Sequence, residues 1–378
     1  MSKAFDSIDF SCLLAKLFFY GIHNKCHDWF DSYIKDRMQL IRIKTENGSL
    51  FSEPRIIKSG VPQGSVLGPL LFSICTADFV SSVVHTTLHM YADDLQILYS
   101  FEIDNKQTAV DLINSDLHRI KELCDKNALM LNPNKCKNLV IGTYQKTRQL
   151  GDFAVYIDNC PLENCSSVKN LGLVFDNDLK FSQHVSELCK KAFISFKQIA
   201  PLKRYLSSDI KLVLVESLVL SHLNYCDYVY GPLLANADKF KLQKIQNWCM
   251  RFVTYIPFLH HVTPFIRQFG KLRLSERRYV HFCVFVNKIL CNTTPDYLYE
   301  KLVWRHDVHD RQLRNLHDLQ IMRHRTEYFR CSFTYLAGMI LNNVLVPQDL
   351  TLRNAALIKK RIRELVMEND NSTNAAVF

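Results

Sequence analysis

The chain has 378 residues, enough for two or three domains of ordinary size, and 48% are hydrophobic, which excludes a disordered chain. No apolar run approaches the roughly 20 residues of a membrane-crossing helix, and the opening MSKAFDSIDF lacks the basic flank and apolar stretch of a secretory signal. The net charge is +10, and all of the surplus lies late: Leu233 to Phe378 hold 22 Lys+Arg against 12 Asp+Glu, and the residues before them balance at 25 and 25. A local positive surplus suits contact with a polyanion, because each neutralised phosphate releases counterions; a solvated, Arg-rich helical surface has the same composition. The thirteen cysteines are odd in number and irregularly spaced, and the closest pair, Cys160 and Cys165, is too wide for a CxxC knuckle. They are expected to be free thiols in a reducing compartment.

In chain order, residues 9–36 carry apolar groups at helical spacing (Leu13, Leu14, Leu17, Phe18, then Trp29, Phe30, Tyr33, Ile34), with Gly21 as a stop between two helices. Residues 38–44 alternate like a half-buried strand, Asn47-Gly48 is a hairpin turn signal, and a strand over about 51–58 should pair back. A loop punctuated by glycine and proline, SGVPQGSVLGP, feeds the run LLFSICTADFV, which reads as a buried helix. Residues 86–99 read as a tight hairpin with acidic residues at its tip. Residues 107–130 form an amphipathic helix with Val110, Ile113, Leu117, Ile120 and Leu123 on one face. LNPNK is a turn into the strand NLVIGT, and 153–176 read as short strands. Beyond about Ser182 the pattern is helical to the end. The expectation is an α+β domain followed by an all-helical one.

The sharpest chemical signal is Tyr91-Ala92-Asp93-Asp94, between LHMY and LQILY. Adjacent carboxylates repel, so bringing them together favours a cation or basic partner. Mg²⁺ takes a few carboxylates plus substrate phosphate oxygens, and two such ions can stabilise the attacking and leaving oxygens of a phosphoryl transfer. A solvated turn with no ligand would look the same in isolation. The tract Ser59–Pro69 precedes it; Gly60, Gly64 and Gly68 let backbone approach a nucleotide closely, Pro62 and Pro69 stiffen it, and Gln63 offers an amide. The two features in this order are far more specific than either alone.

The ordered series SKAFD, SGVPQGSVLGPLLF, YADD, LNPNKCK and LGLVFD resembles motifs A to E of reverse transcriptases, in wording similar to the jockey-like branch of non-LTR retrotransposons. SHLNYCDYVYG, LQKIQNWCMRFV and HHVTPFIRQFGKLRLSERRYV resemble the helical regions that follow in those elements. The resemblance implies a polymerase palm (an antiparallel sheet packed on helices) over 1–178, a helical thumb over 179–256 and a basic helical region over 257–378. It implies Mg²⁺ as cofactor, two ions with Mn²⁺ as a substitute, and as partners an RNA template, a DNA primer and deoxynucleoside triphosphates, with no membrane. Residue by residue, it makes Asp93 and Asp94 the metal-binding carboxylates and Phe5 the gate that selects against a 2′-OH. It gives Gln63, with Gly64 and Tyr91, to the incoming nucleotide, makes Lys135 a general acid towards pyrophosphate, and makes Leu171-Gly172 the primer grip.

In the family pattern motif A reads D-x-x-K-A-F-D, so its catalytic aspartate would fall immediately before Met1. Fingers and an upstream endonuclease are expected to be missing as well. Asp6 and Asp9 lie too far along to substitute, and the chain as given is expected to be inactive or nearly so. Met1 reads as an internal codon taken as a start. Trp29, Tyr33, Trp248 and Tyr255 could stack on bases, but their helical spacing among apolar neighbours reads more readily as core. Arg323 and Arg325, with the KKRIR run of Lys359, Lys360, Arg361 and Arg363, could contact template phosphates, serve as a nuclear signal, or be solvated helix. The family implies intracellular, nuclear action. His306–Asp310 resembles a metal cluster in composition only. A non-catalytic nucleic-acid-binding remnant is the alternative from another class. An RNA-dependent RNA polymerase is disfavoured by Phe5 and by YADD in place of GDD. A group II intron maturase is disfavoured by the lack of its thumb and of a DNA-binding or nuclease tail.

Overall fold

The computed structural model describes residues 4–46, 48–308, 318–343 and 354–368. The chain forms two compact units, Met1–Ser166 and Ser167–Phe378.

The first unit opens with helices α1 (Ala4–Ser7), α2 (Phe10–Phe19) and α3 (Asn24–Ile34), with Gly21 at φ 89° breaking α2 from α3. Strands β1 (Met38–Gln39), β2 (Arg42–Thr45), β3 (Gly48–Phe51) and β4 (Arg55–Ile56) pair as β1–β4 and β2–β3. Helix α4 (Gly68–Thr76) is followed by a 3₁₀ turn over Ala77–Ser82, the hairpin β5 (Thr87–Tyr91) and β6 (Asp94–Leu98), and the long helix α5 (Lys106–Lys126). Then come β7 (Lys137–Asn138), α6 (Tyr144–Leu150), β8 (Tyr156–Ile157), β9 (Cys160–Pro161) and β10 (Glu163–Asn164). Its main core joins Leu13, Leu17, Leu71, Phe72 and Ile120 from α2, α4 and α5 with Ile8, just before α2, and Phe79 of the 3₁₀ turn. The apolar stripe of α5 divides as its length requires: Ile120 and Leu123 face that core, while Val110, Ile113 and Leu117 face a smaller one with Leu150, Phe153 and Ile157.

Three sequence expectations are corrected here. The antiparallel sheet is split into two-stranded ribbons, one of them (β7–β10) parallel, because the strands are only two to five residues long. The 38–56 ribbon is exposed on both faces, with Ile43, Leu50 and Phe51 all exposed; the alternation is there, but no second layer packs against it among the described residues. NLVIGT contributes only Asn138 to a strand, and the chain instead turns into α6, capped by Thr143. The Asn47 half of the predicted turn lies outside the described residues.

The second unit begins with the hairpin β11 (Ser167–Asn170) and β12 (Leu173–Asp176). Helices follow: α7 (Ser182–Ile199), α8 (Ser208–Leu214), which runs through a π-helical turn at Val215–Leu220 into α9 (Ser221–Asn224), then α10 (Asp227–Tyr230), α11 (Asn236–Thr254), α12 (Thr263–Gln268), α13 (Leu274–Asn292), α14 (Asp296–Tyr299), α15 (Arg305–Val308), α16 (Glu327–Arg330), α17 (Phe333–Asn343) and α18 (Ala355–Glu368). The β11–β12 hairpin belongs with these helices because Leu173 is buried in one core with Phe181, Val185, Val219 and Leu242. A second core packs α13, α17 and α18 through Phe282, Val286, Ile340, Ile358 and Ile362. Between them, polar groups pair: buried Asp227 with half-buried His281 (2.9 Å), and half-buried Glu216 with half-buried Arg277 (2.9 Å). Trp29, Trp248 and Tyr255, read as core from spacing, are instead exposed; Tyr33 is half-buried and stacks on Trp29 with centroids 5.2 Å apart. All thirteen cysteines are unpaired thiols. No helix among the described residues is long and apolar enough to cross a membrane.

Candidate active site and nucleic-acid interface

The β5–β6 hairpin closes with Tyr91 opposite Asp94, leaving Ala92 and Asp93 as a two-residue turn. Alternation sends Leu88, Met90, Leu95 and Ile97 onto the main core, so the strands are held from below while the tip stays outside it. Asp93 is half-buried, and Asp94 and Tyr91 are exposed. Ala92 sits at φ 51°, a left-handed conformation that costs a non-glycine residue about 1–2 kcal/mol. Local strain of this kind at the tip of an acidic turn is typical of functional positions.

The base of the hairpin is held by Asp116 of α5, whose carboxylate is fully buried. It accepts the backbone N–H groups of Val84 (3.1 Å), His85 (2.9 Å) and Thr86 (2.8 Å) and the Thr86 hydroxyl (2.9 Å), and pairs with Arg119 at 2.9 Å. Burial works against its ionisation, but the hydrogen bonds from Val84, His85 and Thr86 outweigh it and hold the carboxyl below the usual carboxylate range. Sequence reasoning missed Asp116; its only signal is a charge at a position flanked by the apolar stripe of α5. Lys16 was missed in the same way. Its ammonium ties α2 to the Cys75 carbonyl, to Asp78 (2.9 Å) and to Asn127 (2.7 Å) at the end of α5.

The glycine-rich tract is zipped onto α1. Gly60 N–H donates to the Ile8 carbonyl (2.8 Å), Val61 N–H to the Phe5 carbonyl (2.9 Å), and the Ser59 hydroxyl to the Asp6 carbonyl (2.8 Å). Gly60 is required twice over: its φ is 87°, and a Cβ would lie 2.7 Å from the Asp6 Cα. Gly64, at φ 80° with open space around its Cα, needs only the backbone freedom. Phe5 stacks on Phe72 with centroids 4.4 Å apart, which fixes its ring. Gln63 is exposed and donates its side-chain amide to Asp6 Oδ1 at 2.8 Å. That contact between the ends of two motifs was not foreseen. The structure thus brings together Phe5, Asp6, Gln63 and Gly64 on one strap and Tyr91, Asp93 and Asp94 on one tip, both mounted on the core around Phe72. Among the described residues, no group of three or more His, Cys, Asp and Glu side chains is placed to hold a metal ion.

Lys135 is exposed at the end of a 3₁₀ turn whose start is capped by the Asn132 side chain. In the second unit, Leu171 (φ 43°) and Gly172 (φ 86°) form the tip of β11–β12, with both central residues left-handed as a type I′ turn requires. Arg323 and Arg325 are exposed. On α18, Lys359, Lys360 and Arg361 are exposed while Ile358, Ile362 and Val366 are buried; Arg363 is half-buried and donates to the Gly270 carbonyl at 2.9 Å. His306 pairs with Asp307 at 3.2 Å, and the other members of that cluster, His309 and Asp310, lie outside the described residues.

The acidic tip and the glycine strap thus stand on one core, and comparison with known proteins bears on whose parts they are. The family described as reverse transcriptase (RNA-dependent DNA polymerase) matches residues 1–175. Residues 1–175 are a reverse transcriptase domain. Curated relatives of the chain include the probable RNA-directed DNA polymerase from transposon BS of Drosophila melanogaster, 28% identical over 293 residues, which make up 73% of this chain and 31% of the relative. The RNA-directed DNA polymerase from mobile element jockey of Drosophila funebris is 29% identical over 222 residues, 55% of this chain and 23% of the relative. The probable RNA-directed DNA polymerase from transposon X-element of Drosophila melanogaster is 26% identical over 230 residues, 59% and 24%. The chain therefore spans about a third or less of the length of these relatives. Within the reverse transcriptase domain, the match takes in the strap and the acidic hairpin together, and it ends at Phe175 on the last strand of the following hairpin.

Proposed function

We propose that this reverse transcriptase domain carries out template-directed addition of deoxynucleotides to a DNA 3′-OH, copying the RNA of a non-LTR element. The observation that carries the reading is the YADD tip standing on the same core as the glycine strap. Residues 1–178 would serve as palm, 179–256 as thumb and 257–378 as a basic helical region. Asp93 and Asp94 would hold Mg²⁺, with Mn²⁺ as a substitute; the fit is that of two adjacent carboxylates on an outward turn, a set that Mg²⁺ completes with substrate phosphate oxygens. The metal, when bound, supplies charge stabilisation to the attacking and leaving oxygens. Phe5, its ring fixed against Phe72, would exclude a ribose 2′-OH. Gln63, Gly64 and Tyr91 would line the incoming nucleotide, with Gln63 releasing Asp6 to do so. Lys135 would deliver a proton to pyrophosphate. Leu171-Gly172 would hold the primer, and Arg323, Arg325, Lys359, Lys360, Arg361 and Arg363 the template phosphates, in the nucleus.

The resemblance assigns two of the metal-binding carboxylates to residues of this chain, Asp93 and Asp94. A second reading, that of a nucleic-acid-binding remnant, rests on the surplus of positive charge over Leu233 to Phe378. Primer extension on RNA with Mg²⁺ separates the readings, using residues 1–378, the same chain extended upstream, and the extended chain with Asp93→Ala. Extension lost by at least about a thousandfold with Asp93→Ala supports the proposal, since metal positioning is worth several kcal/mol and each 1.36 kcal/mol is tenfold. Extension that Asp93→Ala does not reduce would overturn the assignment of Asp93, and a protein inert in every form would leave the remnant.

A further inference from the structure

We propose that Tyr225 is a positioning residue for the primer grip, clamping the Leu171–Gly172 turn in the shape that meets the primer 3′ end. This deepens the functional reading above and rests on its assignment of that turn to the primer.

The turn needs a clamp. Both of its residues are left-handed, and leucine is poorly suited to that region, where an L side chain costs about 1–2 kcal/mol. The β11–β12 ladder ends at Asn170 opposite Leu173, so it does not reach the Leu171 carbonyl. The Tyr225 hydroxyl supplies the missing partner, donating to that carbonyl at 2.8 Å. The ring lies against the second turn residue: a Cβ on Gly172 would come 3.1 Å from Tyr225 Cε1. Glycine at 172 thus serves the backbone and makes room for the ring.

Tyr225 is itself rigidly mounted. It follows α9 in an extended conformation, and the next residue, Cys226, turns left-handed at φ 49°. Asp227 then starts α10, buried, with its carboxylate on His281 Nδ1 of α13 at 2.9 and 3.0 Å. Tyr225 is held between a helix end and the buried Asp227 carboxylate, yet is 54% exposed. Packing alone does not account for a large aromatic placed there; the bond to the turn does. Leu171 remains 40% exposed beyond the clamp, with its side chain available to a ligand.

The test measures binding of residues 1–378 to two labelled RNA–DNA hybrids of equal length, one with a recessed DNA 3′ end and one blunt. Tyr225→Phe removes only the hydroxyl, and Leu171→Asp tests the turn itself. The expected result is that Tyr225→Phe weakens binding of the recessed hybrid about three- to tenfold, the range for one lost hydrogen bond, with the blunt hybrid and the urea midpoint little changed. Leu171→Asp should weaken the recessed hybrid further. If Leu171→Asp weakens it and Tyr225→Phe does not, the clamp is wrong and the primer grip stands. If Tyr225→Phe weakens both hybrids equally, its role is general and the proposal fails. If the wild-type chain binds the two hybrids alike, or Leu171→Asp changes nothing, the primer-grip reading falls and the clamp proposal falls with it.

Discussion

The hairpins β5–β6 and β11–β12 each turn on two residues, Ala92–Asp93 and Leu171–Gly172, and they are stabilised from opposite ends. The first is anchored at its base, where Asp116 gathers three backbone N–H groups before β5, and along one face by Leu88, Met90, Leu95 and Ile97. At its tip Asp93 is half-buried and Asp94 is exposed. The second has buried Leu173 and Val174 along its length, and its tip is bound by the Tyr225 hydroxyl. The difference follows from the tips. Two adjacent carboxylates cannot be covered by protein without a large desolvation penalty, so such a turn must be made rigid from elsewhere. A Leu-Gly tip carries no charge and can be clamped directly.

The largest effect should come from removing the base anchor. Asp116→Ala strands the buried N–H of Thr86 and the part-buried N–H groups of Val84 and His85, and should lower stability by about 2–4 kcal/mol, read as a shift in the urea midpoint. A loss below about 1 kcal/mol would mean that the first hairpin is held by its apolar face alone. The same anchor gives a pH signature. Its carboxyl is depressed in the folded state, so its contribution is complete above the unfolded carboxylate pKa of about 3.9 and disappears as pH falls through the lower folded value. Asp116→Asn should therefore flatten the acid limb of a stability–pH curve between about pH 5 and pH 2; an unchanged limb would assign acid unfolding to other carboxylates. At the second tip, Gly172→Ala forces a Cβ into the left-handed region and against the Tyr225 ring, and should cost about 1–3 kcal/mol in chemical denaturation. At the first tip the converse change relieves strain. Ala92→Gly should raise stability by up to about 1 kcal/mol, and a fall would show that the φ of Ala92 is not strained by its surroundings.

The hairpin at 86–99 and the order of the motifs were legible because they are local: LHMY-AD-DLQIL has alternation on both sides of a two-residue break. The turn at Leu171–Gly172 came only from the resemblance, since leucine gives no sign of a left-handed backbone. The helices of the second unit were legible from periodicity. The exposed 38–56 ribbon was not, because alternation says which side chains share a face and says nothing about whether another layer covers that face. The same limit misled the reading of Trp29, Trp248 and Tyr255 as core. Lys16, Asp116 and Tyr225 were invisible for a different reason. Their partners lie 62, 30 and 54 residues away, and a single charged or hydroxyl-bearing residue leaves no pattern in its own neighbourhood.

By itself the sequence determined the helix and strand alternation, the acidic tip, the glycine strap and the likeness to reverse transcriptases, all of which reside in short windows of residue type and spacing. The tertiary structure decided that the β11–β12 hairpin joins the helical unit rather than the one before it, since burial of Leu173 with Val185 and Leu242 depends on side chains brought together only by folding. It also decided what Gln63, Asp116 and Tyr225 bind. A hydrogen bond to a distant carbonyl or carboxylate is a property of two places at once, and no window along the chain contains both.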